Sequence, residues 1–109
     1  MNSTTEARLR PYRCSPVFDE RSMPQALLRE HRTKAGVWGL VRVLEGSVML
    51  HVVEPESVRV LDAEHPAVVL PEQEHFVELI GGRMRLQIEF YDALPDAAAL
   101  ASTPTHDEQ

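Results

Sequence analysis

Two segments of this chain carry residue types that do chemistry. One is His31-Arg32-Thr33-Lys34-Ala35-Gly36-Val37-Trp38-Gly39, and the other is Pro71-Glu72-Gln73-Glu74-His75-Phe76-Val77-Glu78. Each sets a histidine beside a run that reads as β-strand. Imidazole is the commonest metal ligand among side chains. Two such strands brought together would make a metal or small-ligand pocket; held apart, their histidines are packed scaffold. The chain's single lysine, Lys34, lies three residues after His31, whereas arginine occurs ten times. Its compact ammonium, unlike a guanidinium, changes pKa readily on burial and suits a pocket.

The elements that must position these residues follow from size and pattern. A chain of 109 residues forms one small domain with a workable core. Hydrophobic residues at 43% and charged residues at 26% mark a globular class. No apolar run approaches the roughly 18 residues that cross a bilayer, so no membrane partner is expected. The polar start Met1-Asn2-Ser3-Thr4-Thr5-Glu6 lacks the apolar stretch of a secretory leader. Lone Cys14 excludes an intrachain disulfide framework and reads as an inert thiol. Cytoplasmic residence is the expectation. A net charge of −6 argues against nucleic acid, whose phosphates demand basic excess. The charge is uneven: residues 1–42 hold seven Arg and one Lys against four acids, and residues 43–109 three Arg against thirteen. The basic half can attract an anion locally.

Residues 1–11 read as a flexible arm, and Pro11 to Phe18 as extended chain. Ser22 to Arg29 predicts a short helix, with Ser22 as cap and Pro24 in the first turn. Strands follow. Val37–Leu44 and Val48–Val53, separated by Glu45-Gly46-Ser47, predict a hairpin. Ser57–Leu61, Ala67–Leu70 and His75–Ile80 are further strands, and Gly81-Gly82 is a turn suited to positive φ. Arg83–Tyr91 alternates, with Met84, Leu86, Ile88 and Phe90 on one face and Arg83, Arg85, Gln87 and Glu89 on the other. Residues 93–109 read as a flexible tail, with one helical turn expected at Ala97–Ala101. Short strands with turn signals between them predict an all-β sandwich or small barrel over 12–92.

Leu44-Glu45-Gly46, then Leu70-Pro71 with His75 behind it, resembles the double-stranded β-helix of the cupins. A wider set is similar to the TehB/YeaR-like domain of tellurite-resistance-type proteins. It comprises Pro16-x-Phe18, His31-x-Thr33-Lys34-x-Gly36-x-Trp38-Gly39, Val43-Leu44-x-Gly46, Pro71-Glu72-x-x-His75-x-Val77-Glu78 and Phe90-Tyr91. The resemblance runs from about Tyr12 to Tyr91. It implies a cupin-like barrel whose open end receives His31 and His75, and a role in a stress or oxyanion response. It does not imply methyl transfer, because the chain ends eighteen residues after Tyr91. Nor does it imply a full three-His-one-Glu site. Thr33 stands at the second histidine position, and Trp38 near that of the glutamate.

A divalent metal, Zn, Ni or Fe, on His31 and His75 then needs further ligands: Glu78, Glu89 or water. Strand alternation turns Glu78 away from His75 unless a bulge intervenes. Glu89 joins only if the polar face of its strand lines the cavity. Thr33, Lys34, Trp38 and His51 are the candidate pocket wall. Arg42 reads as a solvated strand rim, and His65 and His106 as turn and tail residues. The competing reading is a metal-free module that binds a small molecule or anion, or that pairs as a homodimer, with no catalysis.

Overall fold

Trp38–Glu45 is apolar on both of its faces except at Arg42 and Glu45, and it forms the central strand of the larger sheet. In the computed structural model, which describes residues 10–96, nine strands run in chain order. They are β1 (Arg13–Cys14), β2 (Phe18–Asp19), β3 (His31–Arg32), β4 (Trp38–Glu45), β5 (Val48–Val52), β6 (Ser57–Leu61), β7 (Ala67–Val69), β8 (Glu74–Leu79) and β9 (Arg85–Tyr91). One sheet has the order β1-β9-β4-β7, with β2 also on β9, and the other β3-β8-β5-β6. Every named pairing is antiparallel. The all-β expectation holds, and it takes the form of an open sandwich, each sheet keeping its own edges, rather than a closed barrel. No helix among the described residues is long and apolar enough to cross a membrane.

The core lies between the sheets. Val41, Val43, Ala67, Val69 and Leu86 face Val48, Leu50, Leu61 and Val77, and Met23 and Met84 complete the cluster. These positions alternate along each strand, as a period-two pattern requires. Leu40 and Tyr91, with Trp38 and Val68, form a second cluster on the opposite face of the larger sheet.

Two local expectations are corrected. Val37–Leu44 and Val48–Val53 do not form a hairpin. β4 pairs with β7 and β9, β5 with β6 and β8, and the chain crosses between sheets at Gly46. Ser22 caps no helix: its Oγ is drawn into a turn in which Asp19 Oδ1 accepts hydrogen bonds from the Arg21 and Ser22 amides. The helix shrinks to one 3-10 turn, Gln25–Leu28, capped at Pro24 without a side-chain hydrogen bond. Gly81 and Gly82 do hold positive φ, 115° and 83°. The terminal stretches 1–9 and 97–109, with the helical turn expected at 97–101, lie outside the described residues.

Candidate functional site

β8 alternates His75 and Val77 inward with Phe76 and Glu78 outward. β3 pairs with it so that His31 lies directly opposite His75. The two rings meet with centroids 4.1 Å apart and planes inclined at 58°. Each ring is fixed through Nδ1. His31 Nδ1–H donates to the Arg29 carbonyl at 2.8 Å, and His75 Nδ1–H to the Gln73 carbonyl at 2.7 Å. A carbonyl only accepts, so both protons sit on Nδ1, and in the neutral rings both Nε2 atoms keep a lone pair. That is the tautomer of a metal-ready or donor-accepting imidazole, its ring held by a backbone carbonyl.

His75 is only 5% exposed. Burial lowers its pKa and the neighbouring His31 lowers it further, against an opposing push from the Gln73 hydrogen bond. Unfolded, it titrates near about 6.5. Below that pH the unfolded chain binds the proton more readily, so His75 costs stability as acid is added. The expected result is that the stability gap between the wild type and His75→Gln changes against the wild type from pH 7.5 to pH 5.5. Urea midpoints at the two pH values read it, and an unchanged gap contradicts it.

The loop leading into β8 is tied to the chain after β3 by Thr33. Its Oγ1 donates to the Leu70 carbonyl at 2.7 Å and accepts from the Glu72 amide at 2.8 Å, while Glu72 holds φ at 62°. Gln73 Oε1 closes the same loop by accepting from the Leu70 amide. Thr33 is thus a latch that sets the two histidine strands in register. Thr33→Val keeps the volume and removes both hydroxyl bonds. It is expected to lower stability by about 1–2 kcal/mol and to speed amide exchange at 70–73. Unchanged exchange there removes the latch role.

His31 and His75 line a cavity of about 440 Å³ between the sheets. Thr33 and Lys34 also line it, together with Val41, Val69, Ile88 and Phe90. The cations are Arg13, Arg32 and Lys34, and no Asp or Glu is among the described lining residues. Arg32 is engaged by Glu74 and the Glu72 carbonyl. Arg13 and Lys34 have no ion pair among the described residues.

The residues matched by the TehB-like domain model run from 13 to 88, a span that includes both histidine segments. This chain belongs to the TehB-like domain family. A probable S-adenosyl-L-methionine-dependent methyltransferase TehB of Haemophilus influenzae strain 10810 is 28% identical, over 73% of this chain and 30% of its own length. The TehB of Haemophilus influenzae Rd matches equally. This chain therefore spans less than a third of these curated relatives. The crystal structure of Haemophilus influenzae TehB superposes with a TM-score of 0.69 at 27% identity, covering 79% of this chain and 32% of that one. A structural-genomics protein of E. coli K12 shares the fold at a TM-score of 0.69 and 22% identity, covering 83% of this chain and 95% of its own.

In this TehB-like domain the remaining sequence candidates lie away from the histidine pair. The β5–β8 register runs unbroken from Val48–Leu79 to Val52–His75, so no bulge turns Glu78 inward. Glu78 instead meets His51 on the outer face, Oε1 to Nε2 at 2.6 Å, and His51 stacks on Phe76. Trp38 packs in the second cluster with Leu40 and Tyr91, because Val37, Gly39 and Val41 are the cavity-facing positions of its run. Among the described residues, no group of three His, Cys, Asp or Glu is placed to hold an ion.

Glu89 and Arg42 are the largest departure from the sequence reading. Arg42 is no solvated rim: it is 3% exposed and Glu89 2%. Arg42 Nε donates to Glu89 Oε2 at 2.8 Å, Nη2 to Oε1 at 3.3 Å, and the Tyr91 hydroxyl to Oε1 at 2.8 Å. Burial, reinforced by the Glu89 carboxylate, pushes the Tyr91 phenol well above its ordinary range. A signal existed in the sequence. Arg42 stands in Leu40-Val41-Arg42-Val43-Leu44, where apolar residues occupy both faces.

Proposed function

We propose that this TehB-like domain is a small-ligand-binding module centred on His31 and His75. His31 and His75 would hold a divalent ion of the Zn, Ni or Fe type through their Nε2 lone pairs, with a small anion or water as further ligands. One observation carries the reading: both Nδ1 protons are committed to backbone carbonyls, which leaves both Nε2 lone pairs for a ligand. The donor set fits a borderline ion and not a hard one, which would need several oxygens. Bound there, the metal would supply Lewis acidity toward the anion, with Lys34 adding charge complementarity. Tellurite-type oxyanions belong to that class of ligand, so a role in a stress or oxyanion response stays within the proposal. So does a cytoplasmic setting without nucleic-acid or membrane partners. Methyl transfer, named for the Haemophilus influenzae relatives, is not part of it.

Metal analysis of protein purified without an affinity tag tests the reading. Near-stoichiometric metal in the wild type is expected, lost in His31→Ala and in His75→Ala. Substoichiometric metal that neither substitution changes would sink it.

The carboxylate-free, cation-bearing wall favours a second reading, in which an anion binds without metal. Ligand-induced stabilisation that survives a chelator distinguishes it. A homodimer remains part of the proposal on a separate ground: β6 is a sheet edge, and Val58 and Val60 are exposed there.

A further inference from the structure

The chemistry of the cavity wall narrows the ligand. Neutral Nε2 atoms accept hydrogen bonds; they do not donate them. A bare carboxylate therefore finds lone pairs facing its own. What complements the two imidazoles is an O–H or N–H donor, or a metal ion carrying ligand oxygens. The positive charge comes from elsewhere, Lys34 in the chain after β3 and Arg13 on β1. Much of the remaining wall is apolar, including Phe18, Leu27, Val41, Val69, Ile88 and Phe90.

An inorganic oxyanion answers only the charge. It fills a small part of 440 Å³, which corresponds to roughly fifteen water volumes at about 30 Å³ each. The apolar wall would stay wet. A purely apolar guest covers the wall and strips water from the imidazole nitrogens and the ammonium without replacing its bonds. A ligand with three parts satisfies all three features at once.

We infer that the cavity takes a small hydroxy acid: a carboxylate, a hydroxyl on the adjacent carbon, and an apolar body of ring size. The carboxylate lies toward Lys34, the hydroxyl toward His31 and His75, and the body against Val41, Val69, Ile88 and Phe90. This rests on the reading of the cavity as a ligand site. It holds with or without metal, because a 2-hydroxy acid either donates its O–H to Nε2 or chelates an ion held there through both oxygens.

Titration calorimetry of the full chain with four organic probes, each with and without chelator, and with inorganic phosphate and zinc alone tests it. Mandelate carries all three parts. Phenylacetate lacks the hydroxyl, lactate lacks the ring, and 1-phenylethane-1,2-diol lacks the charge. Mandelate is expected to bind about tenfold tighter than each of the others, the size of one buried hydrogen bond or one apolar group. Lys34→Met changes an exposed side chain, so the fold is kept, and it should abolish the preference for mandelate over the diol. Phenylacetate or lactate matching mandelate overturns the inference, as does a Lys34→Met protein that keeps the full preference. If mandelate fails while zinc binds in a His75-dependent way, the hydroxy acid is wrong and the pocket reading stands. If neither mandelate, inorganic phosphate nor zinc binds, both fall.

Discussion

Glu89→Ala is expected to destabilise the domain by about 3–5 kcal/mol, read as a fall in urea midpoint and melting temperature. Glu89 accepts three hydrogen bonds from two buried residues, Arg42 and Tyr91. Truncating it removes the acceptor that a buried guanidinium and a buried phenol share. A domain of this length is stable by about 5–15 kcal/mol in all, so the loss brings the variant near its unfolding threshold. The consequence reaches the cavity. Arg42 is on β4 and Glu89 on β9, and the same two strands carry Val41, Ile88 and Phe90 into the cavity wall. Replacing both, Arg42→Met with Glu89→Leu, should recover a large part of the loss, because the guanidinium and the carboxylate it pairs with leave together. A cost below about 1 kcal/mol for Glu89→Ala would mean that solvent screens the pair, and the buried-network account would fail.

Strand alternation told which residues share a face, and there the sequence was a reliable guide. Leu86 and Ile88 share the inward face, and Glu78 faces away from His75, both as expected. Alternation does not say whether a face meets water. It leaves open whether the polar face of β9 lines the cavity, and Gln87 and Glu89 are buried on that face. The histidine pair shows a second limit. Both residues were identifiable by type, but their contact depends on the register of β3 against β8, which links positions 44 residues apart through the Thr33 latch. Trp38 shows a third. Its pocket assignment came from residue type, and its strand position sends it to the other side of the sheet.

Gly46→Ala is expected to cost about 3–5 kcal/mol, the sum of a positive-φ penalty and a displaced backbone. Glu45-Gly46-Ser47 announces a turn, and a positive φ serves a hairpin and an inter-sheet corner alike. Only the pairing distinguishes them. Here β4 shifts register between Val43 and Glu45, then the chain leaves for the other sheet with Gly46 at φ 75°. A Cβ on Gly46 would collide with the Arg83 carbonyl oxygen and lie 3.1 Å from the Met84 Cα. Both are backbone atoms, so no rotamer relieves the contact. The Met84 amide is itself held by Glu20 Oε1 at 3.1 Å, which resists the necessary shift. Gly82 supplies the control. Its φ is 83°, and nothing lies within 4 Å of the Cβ it would gain. Gly82→Ala should therefore cost only the conformational part, about 1 kcal/mol. The difference between the two variants in urea denaturation measures the corner contact alone. Equal losses would return Gly46 to an ordinary turn residue. A larger loss at Gly46 ties the entry into β9, and so the Ile88 and Phe90 wall of the cavity, to a single hydrogen atom in place of a side chain.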